Sequence, residues 1–219
     1  MEDNAQIVER VVSGIMKEGF QGIFIVITNP CDVLAYYTEK ISALGRERVF
    51  ATGTFLDTIR LKKELSLSVQ MSPAEFHAYV MGEHGDSQLI PWSLVTMFGE
   101  PLYKLELKNQ KYMINKTDIE TKVRMGAWNA VEGKGVAEYG VASCFARCVR
   151  SIFYDEKQIL PLSTKIQGEY GADHVCFGTP AVLGAGGIET VIQVALQPNE
   201  YSDLMKSYEI LRACITKIE

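Results

Sequence analysis

The chain has 219 residues, 47% of them hydrophobic and 22% charged, with a formal net charge of −5 and a pI near 5.4. This is the composition of a soluble globular protein with room for a sizeable core, and it lacks the basic excess that nucleic-acid binding needs to neutralise phosphates. No run of 18 or more apolar residues is present and the acidic start MEDNAQIVERVV is not a signal peptide, so a cytoplasmic protein with no membrane span is expected.

In chain order, Ile7, Val8, Val11, Val12, Ile15 and Met16 recur at helical spacing and predict an amphipathic helix over 4–18. Glycines in EGFQG close it. The apolar run IFIVIT then predicts a strand over 23–28, of the kind buried on both faces in a parallel sheet. NPCD follows, with Pro30 placed to start a helix and Asn29 left at the strand's carboxyl end. That helix, CDVLAYYTEKISAL, leads to a short strand near RVFATG and a further helix, LDTIRLKKEL. Helix, strand, helix, strand, helix is the order of a doubly wound α/β sheet, in which ligands sit beyond the carboxyl ends of the strands.

After residue 70 the pattern changes. EFHAYVMGEHGDS reads as a strand entering a polar turn, and QLIPWSLVTMF as extended chain. Two helices follow, one over INKTDIETKVRMGAWNAVEGKG and one over VASCFARCVRSIF. VCFGTPAVLGAGGIETVIQVAL then predicts a two-stranded hairpin, and residues 200–218 a closing helix. The expected organisation is therefore part of a parallel α/β sheet over 1–70 and an α+β domain over 71–219.

One short stretch draws attention to chemistry. MGEHGDS sets His84 between Gly82 and Gly85, whose backbone freedom lets a side chain approach a ligand closely. Upstream, LDTIR places Asp57 and Arg60 three apart on one helical face, a spacing that also suits a solvated ion pair. Brought together, the three could do defined work. An aspartate fixes the imidazole tautomer, an arginine grips a carboxylate, and the imidazole takes a proton from a neighbouring hydroxyl. Cys31, Cys144, Cys148, Cys176 and Cys214 form no CxxC pair and read as buried thiols. With His77, His84 and His174 the only histidines, no metal site is expected.

Four segments, VITNPCDVLAYYTEKISAL, RVFATGTFLDTIRLKKEL, HAYVMGEHGDSQLIPWS and LPLSTKIQGEYGADHVCFGTPAVLGAGGIE, together resemble the L-lactate/malate dehydrogenase family. The likeness runs in order from about residue 2 to the C-terminus and leans toward bacterial L-lactate and related L-2-hydroxy acid dehydrogenases. It implies that His84 is the proton donor and acceptor, Asp57 its carboxylate partner, and Arg60 the group that binds the substrate carboxylate. Asn29 would hydrogen-bond near the substrate oxygen and the nicotinamide, with Ile27 and Thr52 lining the nicotinamide side. The implied cofactor is NAD, the substrate a small molecule of the lactate/pyruvate type, and the assembly a homo-oligomer, dimer or tetramer. Ala137 stands where lactate enzymes usually carry threonine, which would widen the pocket toward malate or a bulkier 2-hydroxy acid. His77 matches a histidine that binds fructose 1,6-bisphosphate in some bacterial relatives, although the partner arginine is replaced here by Lys62.

The family's GxGxxG turn does not occur in this sequence. EGKGVAEYG and GAGGIE read as ordinary turns. Against the family pattern, Met1 falls at the helix after the mobile active-site loop, so roughly the first four strands of the six-stranded sheet are expected to be missing, with that loop. The first strand should then present an unpaired apolar edge, and dinucleotide affinity should be weak. Two readings stay open: a dehydrogenase whose sequence starts late, and a short inactive relative serving as an oligomerisation or regulatory subunit.

Overall fold

The structure is a computed structural model and describes residues 2–134 and 138–217. Helix α1, Glu2–Lys17, buries Ala5 and Val12 while Ile7, Val11 and Ile15 remain exposed, so much of its predicted apolar stripe is uncovered. Strand β1, Phe24–Val26, is shorter than the IFIVIT run and only half-buried. Its backbone pairs with one neighbour, so it is an edge strand and lacks the full burial expected of it.

Helix α2, Cys31–Ser42, begins straight after Pro30 and buries Val33, Leu34 and Ala35 beneath the sheet. Strand β2, Val49–Ala51, is fully buried and runs parallel to β1. Helix α3, Phe55–Val69, follows after only three residues. Strand β3, Phe76–His77, pairs with β4, Thr96–Met97, which pairs in turn with β5, Glu100–Pro101. Helix α4, Leu102–Lys108, and helix α5, Lys116–Lys134, complete this part. Its core joins Leu61, Leu65 and Val69 of α3 to Phe76, Met97, Ile119 and Val123. The stretch read as extended chain after Gln88 contains a 3-10 turn, Trp92–Leu94, before β4.

Helix α6, Glu138–Phe153, precedes β6, Gln158–Gln167, and β7, Asp173–Gly184, which form the long antiparallel spine of the molecule. Strand β8, Gly187–Val191, and helix α7, Pro198–Ile215, follow. Glu200 caps α7 by accepting the Gln197 N–H at 2.9 Å and also holds Ser93 Oγ at 2.6 Å.

The larger sheet runs β1-β2-β6-β7-β8 and is mixed, since β2 meets β6 antiparallel at the single pair Ala51 and Ser163. Strand β6, like the short helix α4, is not supplied by sequence reading. Pro161 within it, and the buried Ser163 and Thr164, break the apolar pattern of a central strand. The ladder tolerates the proline because β2 reaches β6 only at Ser163. Phe177, Leu162, Ile166 and Leu183 are wholly buried around this spine, which packs against α2, α6 and α7.

Candidate active site

Asp57 and Arg60 occupy the first turns of α3, and the i, i+3 spacing brings their side chains together. Arg60 Nη1 donates to Asp57 Oδ1 at 2.9 Å. The second carboxylate oxygen, Oδ2, lies 2.6 Å from Nδ1 of His84. One buried carboxylate thus holds both a guanidinium and an imidazole. With Nδ1–H donating to Asp57, Nε2 is the nitrogen left to accept a proton elsewhere.

His84 comes from 27 residues downstream, and its delivery can be traced bond by bond. Thr54 Oγ1 donates to the Val80 carbonyl at 2.6 Å, and the Val80 N–H donates to Thr58 Oγ1 at 2.8 Å. Two hydroxyls one helical turn apart on α3 therefore serve the passing chain as a neighbouring strand would. Met81 next exchanges hydrogen bonds with Leu89, and Gly82 exchanges two with Gly178 of β7, at 2.9 and 2.8 Å. Gly82 has φ +83°, and a Cβ there would stand 2.7 Å from Ser207 Oγ on α7. A Cβ on Gly178 would fall on the Thr54 side chain.

Two further side chains fix the loop from below. Asp32 Oδ2 accepts the His84 main-chain N–H at 2.8 Å, and Ser207 Oγ accepts that of Glu83 at 2.7 Å. Beside Arg60, Gly126 of α5 leaves space that a Cβ would take from Arg60 Cδ, at 2.8 Å.

The electrostatics follow from this packing. Burial works against a charged His84, but the hydrogen bond and charge of Asp57, helped by Asp32, outweigh it and raise the imidazole pKa; Arg60 pulls the other way. Burial pushes the Asp32 carboxyl up to about 6, while Ser163 and the His84 N–H hold it down. Cys144 senses both Asp57 and Arg60, but burial lifts its thiol to about 12, so it is not a nucleophile here. All five cysteines are free thiols, four buried and Cys214 partly so.

The remaining predicted residues lie apart from this network. Asn29 is exposed beyond β1, joined to the α2 start by a cis peptide bond, and its carbonyl accepts from Asn4 Nδ2 at 2.8 Å. Ile27 is 48% exposed at the same strand end, and Thr52 is buried after β2, its N–H on the Val26 carbonyl at 3.2 Å. The bonds joining Asp57, Arg60 and His84 do not extend to these three. His77 is exposed on β3, and Lys62 is half-buried on α3, where desolvation lowers its pKa. Ala137 lies outside the described residues. Among the described residues no group of three or more His, Cys, Asp or Glu side chains is placed to hold a metal ion. Nor is any helix among them long and apolar enough to cross a membrane.

Comparison with known proteins settles the family. Residues 54–219 match the lactate/malate dehydrogenase alpha/beta C-terminal domain, and residues 1–51 the lactate/malate dehydrogenase NAD binding domain. The chain belongs to the lactate/malate dehydrogenase family. L-lactate dehydrogenase 3 of Bacillus cereus is 39% identical over 211 residues, covering 95% of this chain and 67% of the relative. L-lactate dehydrogenase of Halalkalibacterium halodurans is 41% identical over 209 residues, covering 95% and 66%. Among solved structures, the minor L-lactate dehydrogenase from Enterococcus mundtii superposes with a TM-score of 0.95 at 33% identity, over all of this chain and 70% of that one. MGS-M5, a lactate dehydrogenase from a deep-sea metagenome library, gives 0.94 at 36% identity, over 98% and 69%. The chain thus spans about two thirds of the length of these relatives.

The family is one of NAD-dependent oxidoreductases, so NAD is the cofactor it implies. An exposed apolar Ile27 and an exposed polar Asn29 stand together at the carboxyl end of β1, the side of a doubly wound sheet where ligands bind.

Sequence reading picked out Asp57, Arg60 and His84 but passed over the groups that aim them. Thr54 and Thr58 had a signal, two hydroxyls at i, i+4 flanking Asp57. Asp32 had one too, an acid in the first turn after a strand. Gly126, Gly178 and Ser207 had none, because their importance lies in contacts between distant segments.

Proposed function

We propose that this chain carries the proton-transfer and carboxylate-binding half of an NAD-dependent L-2-hydroxy acid dehydrogenase acting on lactate and pyruvate. The observation that carries the reading is the shared Asp57 carboxylate, 2.6 Å from His84 Nδ1 and 2.9 Å from Arg60 Nη1. The lactate preference rests on the relatives from Bacillus cereus, Halalkalibacterium halodurans and Enterococcus mundtii, each named an L-lactate dehydrogenase.

In oxidation, Arg60 binds the substrate carboxylate through its remaining N–H groups. Nε2 of His84 takes the C2 hydroxyl proton, and Asp57 stabilises the imidazolium that results. NAD, when bound, would supply the acceptor for the C2 hydride, so that the product would be a 2-oxo acid. In reduction the imidazolium returns its proton to the oxygen. Asn29, Ile27 and Thr52 would form the nicotinamide side, and Ala137 is assigned to substrate binding from the family pattern alone. His77 and Lys62 would be the remnants of an anionic effector site, with lysine offering a point charge in place of a fork. The same reading assigns 1–70 to a partial dinucleotide-binding domain and 71–219 to the substrate domain, in a cytoplasmic homo-oligomer.

The test is NADH oxidation by the purified 219-residue chain with pyruvate and, separately, oxaloacetate. Pyruvate should be the better substrate, and His84→Asn should lower kcat by roughly 10³-fold or more. Faster turnover of oxaloacetate or an undiminished His84→Asn variant would overturn the reading; saturating NADH is used because dinucleotide affinity is expected to be weak.

A further inference from the structure

The acid/base reading above uses one carboxylate, Asp57, yet a second reaches the same histidine. Asp32 is 2% exposed, on the first turn of α2, and its Oδ2 accepts the main-chain N–H of His84 itself. An asparagine could accept that bond without carrying a charge into the interior, where ionisation is costly. Of the charges acting on Asp32, the His84 imidazolium favours its ionisation, whereas Glu83 opposes it. Its other neighbours bring no charge. Ser163 of β6 is a buried hydroxyl that helps hold the Asp32 carboxyl down, and Cys31 of α2 and Cys176 of β7 are buried thiols driven strongly toward their neutral form. The charged groups acting on His84 are Asp57 and Arg60 of α3, in addition to Asp32.

We propose that Asp32 is a positioning residue for the His84 acid/base. Its carboxylate pins the main chain of the loop at the histidine and adds a second negative charge that favours the imidazolium. The histidine is thereby held from two sides, at Nδ1 by Asp57 and at its own amide by Asp32. The proposal rests on the reading of His84 as the acid/base, but its test needs no turnover.

Burial has already moved the Asp32 carboxyl to about 6, close to where an imidazole titrates, so the two groups exchange influence over the working pH range. Above that value Asp32 is ionised and supports the imidazolium. Below it the carboxyl is neutral and the support is withdrawn.

The experiment is a titration of the imidazole resonances by NMR in the full chain, where only three histidines contribute. His84→Gln identifies the resonance. Asp32→Asn keeps an oxygen for the His84 N–H but removes the charge, and the His84 pKa should fall by roughly half to one pH unit. Asp57→Asn should lower it further. A folded Asp32→Asn variant in which His84 titrates as in the parent overturns the proposal. Should Asp32→Asn not fold, the reciprocal measurement decides. In His84→Gln, the ¹³C-carboxyl titration of Asp32 should move upward, because the imidazolium that favoured ionisation is gone. An unmoved Asp32 titration overturns the proposal equally. A shifted His84 pKa beside undiminished turnover by His84→Asn would retain the coupling and discard the catalytic reading alone.

Discussion

The two ends of this site are held very differently. Around His84, hydrogen bonds arrive from α2, α3, β7 and α7, through Asp32, Thr54, Thr58, Gly178 and Ser207. Around Ile27 and Asn29, at the open end of the sheet's outermost strand, the chain is exposed and Asn29 is anchored through its carbonyl to an asparagine on α1. On the proposed reading, the difference follows from the tasks. A proton moves productively only when donor and acceptor are held within a few tenths of an ångström, so its handler is built into the interior. A group that receives a cofactor must first be reachable from solvent.

Substitutions at the two ends should separate them by size of effect. The largest belongs to Asp57→Asn, which leaves His84 without its tautomer-fixing partner and Arg60 without its ion pair. A loss of about 10³- to 10⁴-fold in kcat is expected for the active enzyme, measured by steady-state pyruvate reduction. The same variant should flatten part of the pH dependence of stability. Folded His84 binds its proton more tightly than an unfolded imidazole at 6.5, so its contribution is complete below that pH and fades as pH rises through the folded value. Urea melts of parent and Asp57→Asn across pH 5–9 would show a difference largest at the acid end.

Gly178→Ala comes next. Its methyl falls on the wholly buried Thr54 side chain, and relief requires opening the clamp on Val80. A destabilisation of about 2–3 kcal/mol is expected by denaturant melting, together with weaker activity as His84 drifts. Asp32→Asn should act in the opposite direction on stability. The carboxyl rises from 3.8 unfolded to about 6 folded, so its ionisation opposes folding increasingly between those values and fully above them. The neutral isostere should therefore stabilise the chain at pH 8 by up to about 3 kcal/mol, and bring no gain below pH 4. Stability gained while the acid/base is impaired would mark Asp32 as a residue kept for function. The smallest effect belongs to Ile27→Ser, within about 0.5 kcal/mol of the parent by thermal melting because the side chain is already half in water.

The same contrast explains what could be read from the sequence. Asp57 and Arg60 are neighbours on one helix and announce themselves by spacing, and the glycines around His84 mark a loop of unusual backbone. Helix α1 carried clear periodicity, helices α3, α5 and α7 were also readable as helices, and all four appear close to where the sequence placed them. Strand β6 was illegible for a physical reason. Its pattern mixes a proline with buried hydroxyls, and what makes it a strand is the ten-residue ladder with β7, the next strand along the chain, which the apolar pattern of β6 alone does not reveal. The anchors of His84 are hidden by distance instead. Asp32 is 52 residues from the amide it holds, and Ser207 is 124 residues from the Glu83 N–H.

The shared carboxylate of Asp57 has one consequence beyond acidity. Because it ties His84 and Arg60 to a single rigid group, the distance between the proton acceptor and the carboxylate grip is set once. On the proposed reading, two of the four substituents on the substrate's C2 are thereby assigned their places, the carboxylate at Arg60 and the hydroxyl at Nε2. Hydrogen and the remaining side chain can then be arranged in only two ways, and these are mirror images. With the hydride acceptor on one fixed face, only one hand presents its hydrogen to it. Chirality at the substrate is thus selected by a geometric constraint that begins with two bonds to one aspartate.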